Sequence, residues 1–350
     1  MPEFGAMRSG DAIRPLVAYW HRAQMPCPIV VVGGGRWGRT WVKVIAGARA
    51  TSTGITIASR TAAESVRQWL PTQEIVQSVH LVANLDEAMR LCPRPVAAIV
   101  ASRPRDHVRD SLDALERGLH VLVEKPISPA AIDGERLLLA ARATGRVLAI
   151  GTEFAFLPAF HAVAGALKEY LEGVVHLTLH WDDPLHEVRD GEPKTHHGET
   201  SIAIDLLAHA ISIFDIFAPQ AEVEIVDVDL SADGNVGQIV LRDKNGGRFV
   251  LLCNRMAMAR RRALTIDVES IHATVDFSSS LPLAVINDSP FRIPESILAL
   301  DSTLRLELGA FLMEIAGQGP CGTPISSQVS NHLRLQAQLE KVLNLRTNID

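Results

Sequence analysis

The sequence predicts an α/β protein of two domains: a doubly wound parallel sheet, then an α+β domain with a large, mainly antiparallel sheet. Three observations carry this. The chain of 350 residues exceeds the size at which a single core stops growing. From Ile29 to about Ile150, short apolar runs alternate with segments of helical periodicity, the rhythm of parallel strands joined by crossover helices. Beyond residue 150 the strand-like segments follow one another through short turns, as antiparallel neighbours do.

Residues 1–26 read as an N-terminal extension, its MPEFGAM opening partly a tag remnant, 27–150 as the first domain and 151–350 as the second. The strands of the first domain are IVVV, TGITIAS, HLVA, VAAIVAS, HVLVEKP and RVLAIG. Between them, 62–70, 85–91, 107–117 and 129–144 place apolar residues at helical spacing. In the second domain, 174–181, 221–230, 236–243 and 247–254 are strand-like, with turns at Asp233-Gly234 and Asn245-Gly246. The runs ALTIDVE and HATVDFS extend that sheet, and helices near 301–316 and 326–344 close the chain.

Composition excludes several classes of function. Hydrophobic residues make up 47% of the chain and charged residues 21%, the balance of a folded globular protein. A net charge of -6 with no Lys/Arg stripe argues against a nucleic-acid partner. No apolar run is long enough to span a bilayer and no secretory pattern opens the chain, so a cytoplasmic protein without a membrane partner is expected. Cys27, Cys92, Cys253 and Cys321 are scattered, with no C-x-x-C pair, and read as free thiols.

The first strand runs into Gly33-Gly34-Gly35-Arg36-Trp37-Gly38. Gly33, Gly35 and Gly38 stand at the G-x-G-x-x-G positions: the first permits the tight turn, the second lets a pyrophosphate approach the backbone, and the third lets helix and strand pack closely. The helix that follows would present its unpaired N–H groups and partial positive charge to the phosphates, which makes this a dinucleotide-binding turn of the Rossmann type. Arg36 and Trp37 lie inside it. The end of the second strand meets the adenosine ribose about 20 residues on. It reads ITIASRT and has no carboxylate for ribose hydroxyls. Ser59, Arg60 and Thr61 instead supply hydroxyls and a guanidinium suited to a 2′-phosphate, so the cofactor is expected to be NADP(H). Ser102, His107 and Glu124 complete the expected cofactor-binding set.

Two patterns point from a nucleotide binder to an enzyme. Glu124-Lys125-Pro126 follows the strand VLV, at the carboxyl end where ligands of open α/β sheets collect. Asp205 and His209 are four apart in the apolar segment SIAIDLLAHAISIF, hence on one face of a mostly buried helix. Burying a carboxylate and an imidazole costs several kcal/mol unless they are paired, so the two mark either a structural pair or a site.

The chain from Ile29 onward resembles the glucose-fructose oxidoreductase, inositol dehydrogenase and MocA family of NAD(P)-dependent dehydrogenases. The likeness rests on the glycine turn, His107, the ALERGLHVLVEKPIS segment (114–128), the GTEFAFLPAF segment and the Asp205/His209 helix. It implies a Rossmann domain plus an open-faced α+β domain, homodimers or homotetramers formed through the second sheet, and a cis Lys125–Pro126 bond. It also implies an active site between the domains with Lys125, Asp205 and His209 as catalytic residues. Many sugar-handling relatives carry Arg-Arg-Phe-x-Pro where this chain has Phe154-Ala155-Phe156-Leu157-Pro158, a departure that points toward a less polar small-molecule substrate.

Reduction of C=O or C=N by a nicotinamide needs a group polarising the heteroatom and a proton delivered to it. Lys125 suits the first task, His209 the second, and Asp205 would fix the imidazole tautomer or hold a substrate group. Phe154, Trp181, Arg189 and Lys194 are the expected substrate contacts. His180, His186, His196 and His197 match no metal-ligand spacing, and no metal is expected. The alternative is a non-catalytic NADP-sensing regulator of the same fold.

Overall fold

The computed structural model describes residues 10–48, 54–91, 93–186, 188–189, 192–193, 200–219, 221–300, 302–318 and 325–347. The first half runs Gly10–Arg22 (α1), Ile29–Val32 (β1), Arg36–Ala48 (α2), Ile55–Ala58 (β2), Ala63–Trp69 (α3), Val79–Val82 (β3), Leu85–Ala88 (α4) and Ala97–Val100 (β4). It continues with His107–Glu116 (α5), His120–Val123 (β5), Ala131–Thr144 (α6), Leu148–Ile150 (β6) and a 3-10 turn at Glu153–Phe156. The second half contains Pro158–Ala166 (α7), Val175–Pro184 (β7), the short pair Val188–Arg189 (β8) and Glu192–Pro193 (β9), Ile202–Phe217 (α8), Glu224–Leu230 (β10), Val236–Arg242 (β11) and Arg248–Ala257 (β12). It ends with Arg261–Val268 (β13), Ile271–Asp276 (β14), Leu283–Ile286 (β15), Ser289–Phe291 (β16), Glu295–Leu298 (α9), Thr303–Ile315 (α10) and Ser327–Thr347 (α11).

The chain divides into two compact units, 14–156 with 302–333, and 1–13 with 157–301 and 334–350. This differs from the expected single break near residue 150. Helix α10 returns to the first unit, packing on the Glu153–Phe156 turn and on α2. Part of the stretch read as an extension belongs there too. Trp20 of α1 lies 3.6 Å from the Arg305 guanidinium, Tyr19 meets Phe156 edge to face, and Arg22 Nε donates to the Leu312 carbonyl. Gly309 makes that approach possible, since a Cβ there would stand 1.8 Å from the Tyr19 carbonyl oxygen.

In the first unit the six strands form one sheet of order β3-β2-β1-β4-β5-β6, every pair parallel. Strands β1, β2 and β4 are buried along their whole length, which is why they read as continuous apolar runs rather than alternating ones. The strand order reverses between β1 and β4, and ligands of open α/β sheets bind beyond the carboxyl ends at such a switch point.

The second unit carries an eight-stranded sheet of order β10-β11-β12-β7-β13-β14-β15-β16. All pairs are antiparallel except β12 with β7. The departure comes from connectivity: after β7 the chain passes through α8, β10 and β11 before β12 returns alongside β7 in the same direction. On β7, buried Val175, Leu177, Leu179 and Trp181 alternate with more exposed residues, and α8 packs against β7, β11 and β12. Strands β15 and β16 were not foreseen. Their run is broken by Pro290 and by Asn287 and Asp288, both at positive φ, the requirement of a tight hairpin turn. Among the described residues, no helix is long and apolar enough to cross a membrane.

Candidate functional site

The glycine turn is shaped as its sequence requires. Gly33 has φ of 109°, and a Cβ on it would stand 2.7 Å from the Ala101 carbonyl oxygen at the end of β4. A Cβ on Gly38 would stand 1.9 Å from the Gly33 carbonyl, so only glycine lets α2 start this close to the strand. Gly35, in contrast, has nothing within 4 Å of its Cβ position: the one open glycine is the one expected to let a pyrophosphate approach. The Arg36 guanidinium lies 5.1 Å from the Trp37 ring, both half-buried.

Beyond β2, Ser59 is buried, accepts a hydrogen bond from the Ala62 backbone N–H, and sits 3.0 Å from the Cβ position of Gly34. Arg60 and Thr61 are exposed beside it. Sequence reasoning missed Arg39 and Trp69, whose guanidinium and ring lie 6.0 Å apart on α2 and α3; the signal was a cation one helical turn into α2.

Lys125 is half-buried directly after β5, and its bond to Pro126 is cis. Two side chains expected at the cofactor lie instead in the interior and brace this segment. His107 has its Nδ1 2.8 Å from the Pro126 carbonyl oxygen and its Nε2 3.1 Å from that of Ser102. Burial holds the His107 pKa below its ordinary value, against the pull of the two carbonyls. Glu124, 3% exposed, accepts a 2.7 Å hydrogen bond from Trp41 Nε1. Burial, reinforced by the neighbouring Glu153 charge, pushes its carboxyl up to about 7. The Ser102 hydroxyl is buried without a hydrogen-bond partner among the described residues.

In the second unit, Asp205 and His209 lie on α8, whose start is capped by Ser201 accepting from the Ile204 N–H. The Asp205 carboxylate is about a third exposed and 3.6 Å from Nη2 of the buried Arg255, which also donates through Nη1 to the Thr200 carbonyl. The His209 ring, 1% exposed, stacks on Trp181 with centroids 5.5 Å apart and planes 5° apart. The Arg262 guanidinium lies 4.3 Å from the same indole and is held by Asp183 at 2.7 Å. Trp181 and Arg262 are direct cross-strand partners, so pleat and register bring them to one face of the sheet. Trp181, expected as a substrate contact, is 2% exposed and lies stacked against His209. Arg255, Arg262 and Asp183 were missed; their only trace was buried-strand positions filled by charge.

Phe154 is half-buried in the turn after β6. The side chain of Arg189 and the whole of Lys194 lie outside the described residues, as do His196 and His197. Among the described residues no cluster of His, Cys, Asp or Glu could hold a metal ion. Cys27 and Cys253 are buried and free, the thiol of Cys253 pushed up to about 12 by burial; Cys92 and Cys321 fall outside the described residues.

Residues 27–152 match the model of an oxidoreductase family with a NAD-binding Rossmann fold. A comparison with curated proteins finds no match. Among solved structures, the chain is similar to a UDP-N-acetylglucosamine 3-dehydrogenase from Acidithiobacillus ferrooxidans, with 19% identity, a TM-score of 0.69, and 90% of this chain and 97% of that one covered. A 3-ketoreductase from Actinomadura kijaniata, solved in complex with TDP-benzene and NADP, aligns with 18% identity and a TM-score of 0.70 over 90% of this chain and 96% of that one. An oxidoreductase from Pseudomonas syringae aligns with 12% identity and a TM-score of 0.70 over 90% and 96%. At these identities the likeness is one of fold.

Proposed function

We propose, from the premise that residues 27–152 belong to the oxidoreductase family with a NAD-binding Rossmann fold, that the chain transfers a hydride between NADP(H) and a carbonyl or imine carbon of a small metabolite. The observation that carries this is Lys125, half-buried at the carboxyl end of β5, its segment braced from behind by His107 and Glu124.

The residues present fit the cofactor. Gly35 leaves the turn open on one side, the α2 N-terminus offers N–H donors, and Ser59, Arg60 and Thr61 follow β2. Bound there, the nicotinamide supplies the hydride. Lys125 polarises the substrate oxygen or nitrogen through its ammonium, His209 delivers or removes the proton at that atom, and Asp205 supports the imidazole. Phe154 shapes the substrate end in this reading. The same roles serve reduction and oxidation.

A spectrophotometric panel of ketones, nucleotide-linked keto sugars, cyclic imines and polyols, run with NADPH and NADH in parallel, tests the proposal at the nicotinamide absorbance band. Turnover with a carbonyl or imine supports it. Tight NADPH binding with no change across the panel would favour a cofactor-sensing regulator instead.

Arg60 carries the cofactor choice. Arg60→Ala is expected to weaken NADPH binding about 10- to 100-fold, the loss of a charge-assisted contact, with NADH binding nearly unchanged. Isothermal titration with both cofactors checks this, and an equal loss for both would detach Arg60 from the 2′-phosphate. Homodimer or homotetramer formation through the eight-stranded sheet belongs to the same reading: on β7 and β13 the positions of His176, Thr178, Thr265 and Asp267 are partly to fully exposed. Light scattering would detect it.

A further inference from the structure

Three carboxyl groups lie buried in the first unit. Glu124 ends β5 and is 3% exposed, Glu153 opens the turn after β6 and is 8% exposed, and Glu307 projects from α10 at 1% exposed. Glu124 accepts from Trp41 Nε1 and from the Lys125 backbone N–H. Its second oxygen stands 3.1 Å from the Cβ position of Gly151, so a side chain there would press on it. Glu307 accepts through one oxygen from the Thr152 backbone N–H; its other oxygen is fully buried with no partner among the described residues.

The charged groups acting on Glu124 are Glu153 and Lys125, and those acting on Glu307 are Glu153 and Glu124. Glu153 is the like charge acting on Glu124, and on Glu307 it acts more strongly than Glu124 does. Three carboxylates cannot all ionise in such a volume. The unpartnered oxygen of Glu307 is the natural bearer of a proton, because a neutral acid loses far less than a carboxylate when left unsolvated.

We propose that Glu124, Glu153 and Glu307, gathered on the backbone of residues 151–153, form a buried proton-sharing cluster behind Lys125, in which Glu153 is the positioning residue for the hold of Glu124 on the lysine's backbone. The proposal rests on the hydride-transfer reading for the role of Lys125, but the cluster itself is independent of turnover. Burial and the Glu153 charge hold Glu124 at about 7 and hold Glu307 well above the usual carboxylate range.

The sign follows from linkage. A carboxyl raised in the folded state keeps its proton after the unfolded chain has lost its own. Stability therefore falls as pH rises from the ordinary carboxylate range through neutrality, where Glu124 loses its proton, and Glu307 adds to the fall in the same direction. The experiment is the thermal midpoint of the full chain from pH 5 to 9, read beside the pH profile of kcat/KM, for wild type, Glu153→Gln and Glu307→Gln.

The wild-type midpoint is expected to fall with pH, and Glu307→Gln, which cannot ionise, to stand higher than wild type at pH 8 by roughly 5 °C. Glu153→Gln is expected to move the limb near pH 7, in midpoint and in kcat/KM alike, at least about one unit toward acid. A wild-type midpoint flat over this range, or a limb that stays in place in Glu153→Gln, overturns the cluster. Should the midpoints shift as described while no substrate is turned over, the cluster stands and the hydride-transfer reading falls.

Discussion

Lys125→Ala and His209→Ala are each expected to lower turnover by about 10²-fold or more while leaving NADPH binding largely intact. Lys125 follows β5, its backbone held by Glu124 and the next carbonyl by His107, so its ammonium is delivered by a rigid segment. Removing the side chain leaves the backbone hydrogen bonds of those braces in place. His209 is set by its stack on Trp181. A double variant sharpens the test. If the two act on the same reacting bond, Lys125→Ala with His209→Ala loses much less than the product of the single losses, since groups working as a unit are non-additive. Purely multiplicative losses would separate their roles, and unchanged turnover in both singles would remove them from the chemistry. Cofactor titration in each variant shows that the Rossmann unit is intact.

Most of the first unit was legible because parallel strands buried on both faces must be continuous apolar runs, and six such runs became six strands. The glycine turn was legible for a related reason: Gly33 and Gly38 each answer a steric demand that a Cβ would violate. What the sequence hid is long-range. That α10 returns to the first unit follows from Gly309 meeting the Tyr19 carbonyl, a contact between positions nearly the whole chain apart. Local periodicity marks a helix but not which core receives it. The parallel pairing of β7 with β12 was hidden for the same reason.

The proposed catalytic residues, Lys125 in one unit and Asp205 and His209 in the other, come from local motifs. The groups that hold them do not, because Trp41, Arg255, Arg262 and Glu307 act from other elements. Glu124 shows the limit most clearly. An acid beside a lysine on a strand end reads as a ligand contact, yet its carboxyl turns inward to an indole N–H. Only the fold reveals the direction in which a side chain points.

Trp181→Ala is expected to destabilise the chain by about 3–5 kcal/mol, the cost of emptying a large aromatic site from a core. The indole is almost wholly buried and its ring is engaged by His209, by the Arg262 guanidinium and, edge-on, by Phe277. Stacking contributes on the order of 0.5–1.5 kcal/mol beyond area, and a desolvated cation beside the ring up to about 2 kcal/mol more. Arg262 makes the loss worse: it is itself buried and paired with Asp183, and without the indole this buried charge loses its contact with the ring. Trp181→Phe keeps a ring in place and is expected to lose about half as much or less. Chemical denaturation of the three proteins measures this, and kinetics on the same samples separate two roles for the tryptophan. If it positions His209, kcat falls in the alanine variant and is largely restored by phenylalanine, with KM little changed. If it touches substrate, KM rises in both variants. A loss of stability with neither parameter altered would leave Trp181 as packing alone, and the orientation of the imidazole would then have to come from Asp205 and the walls of α8.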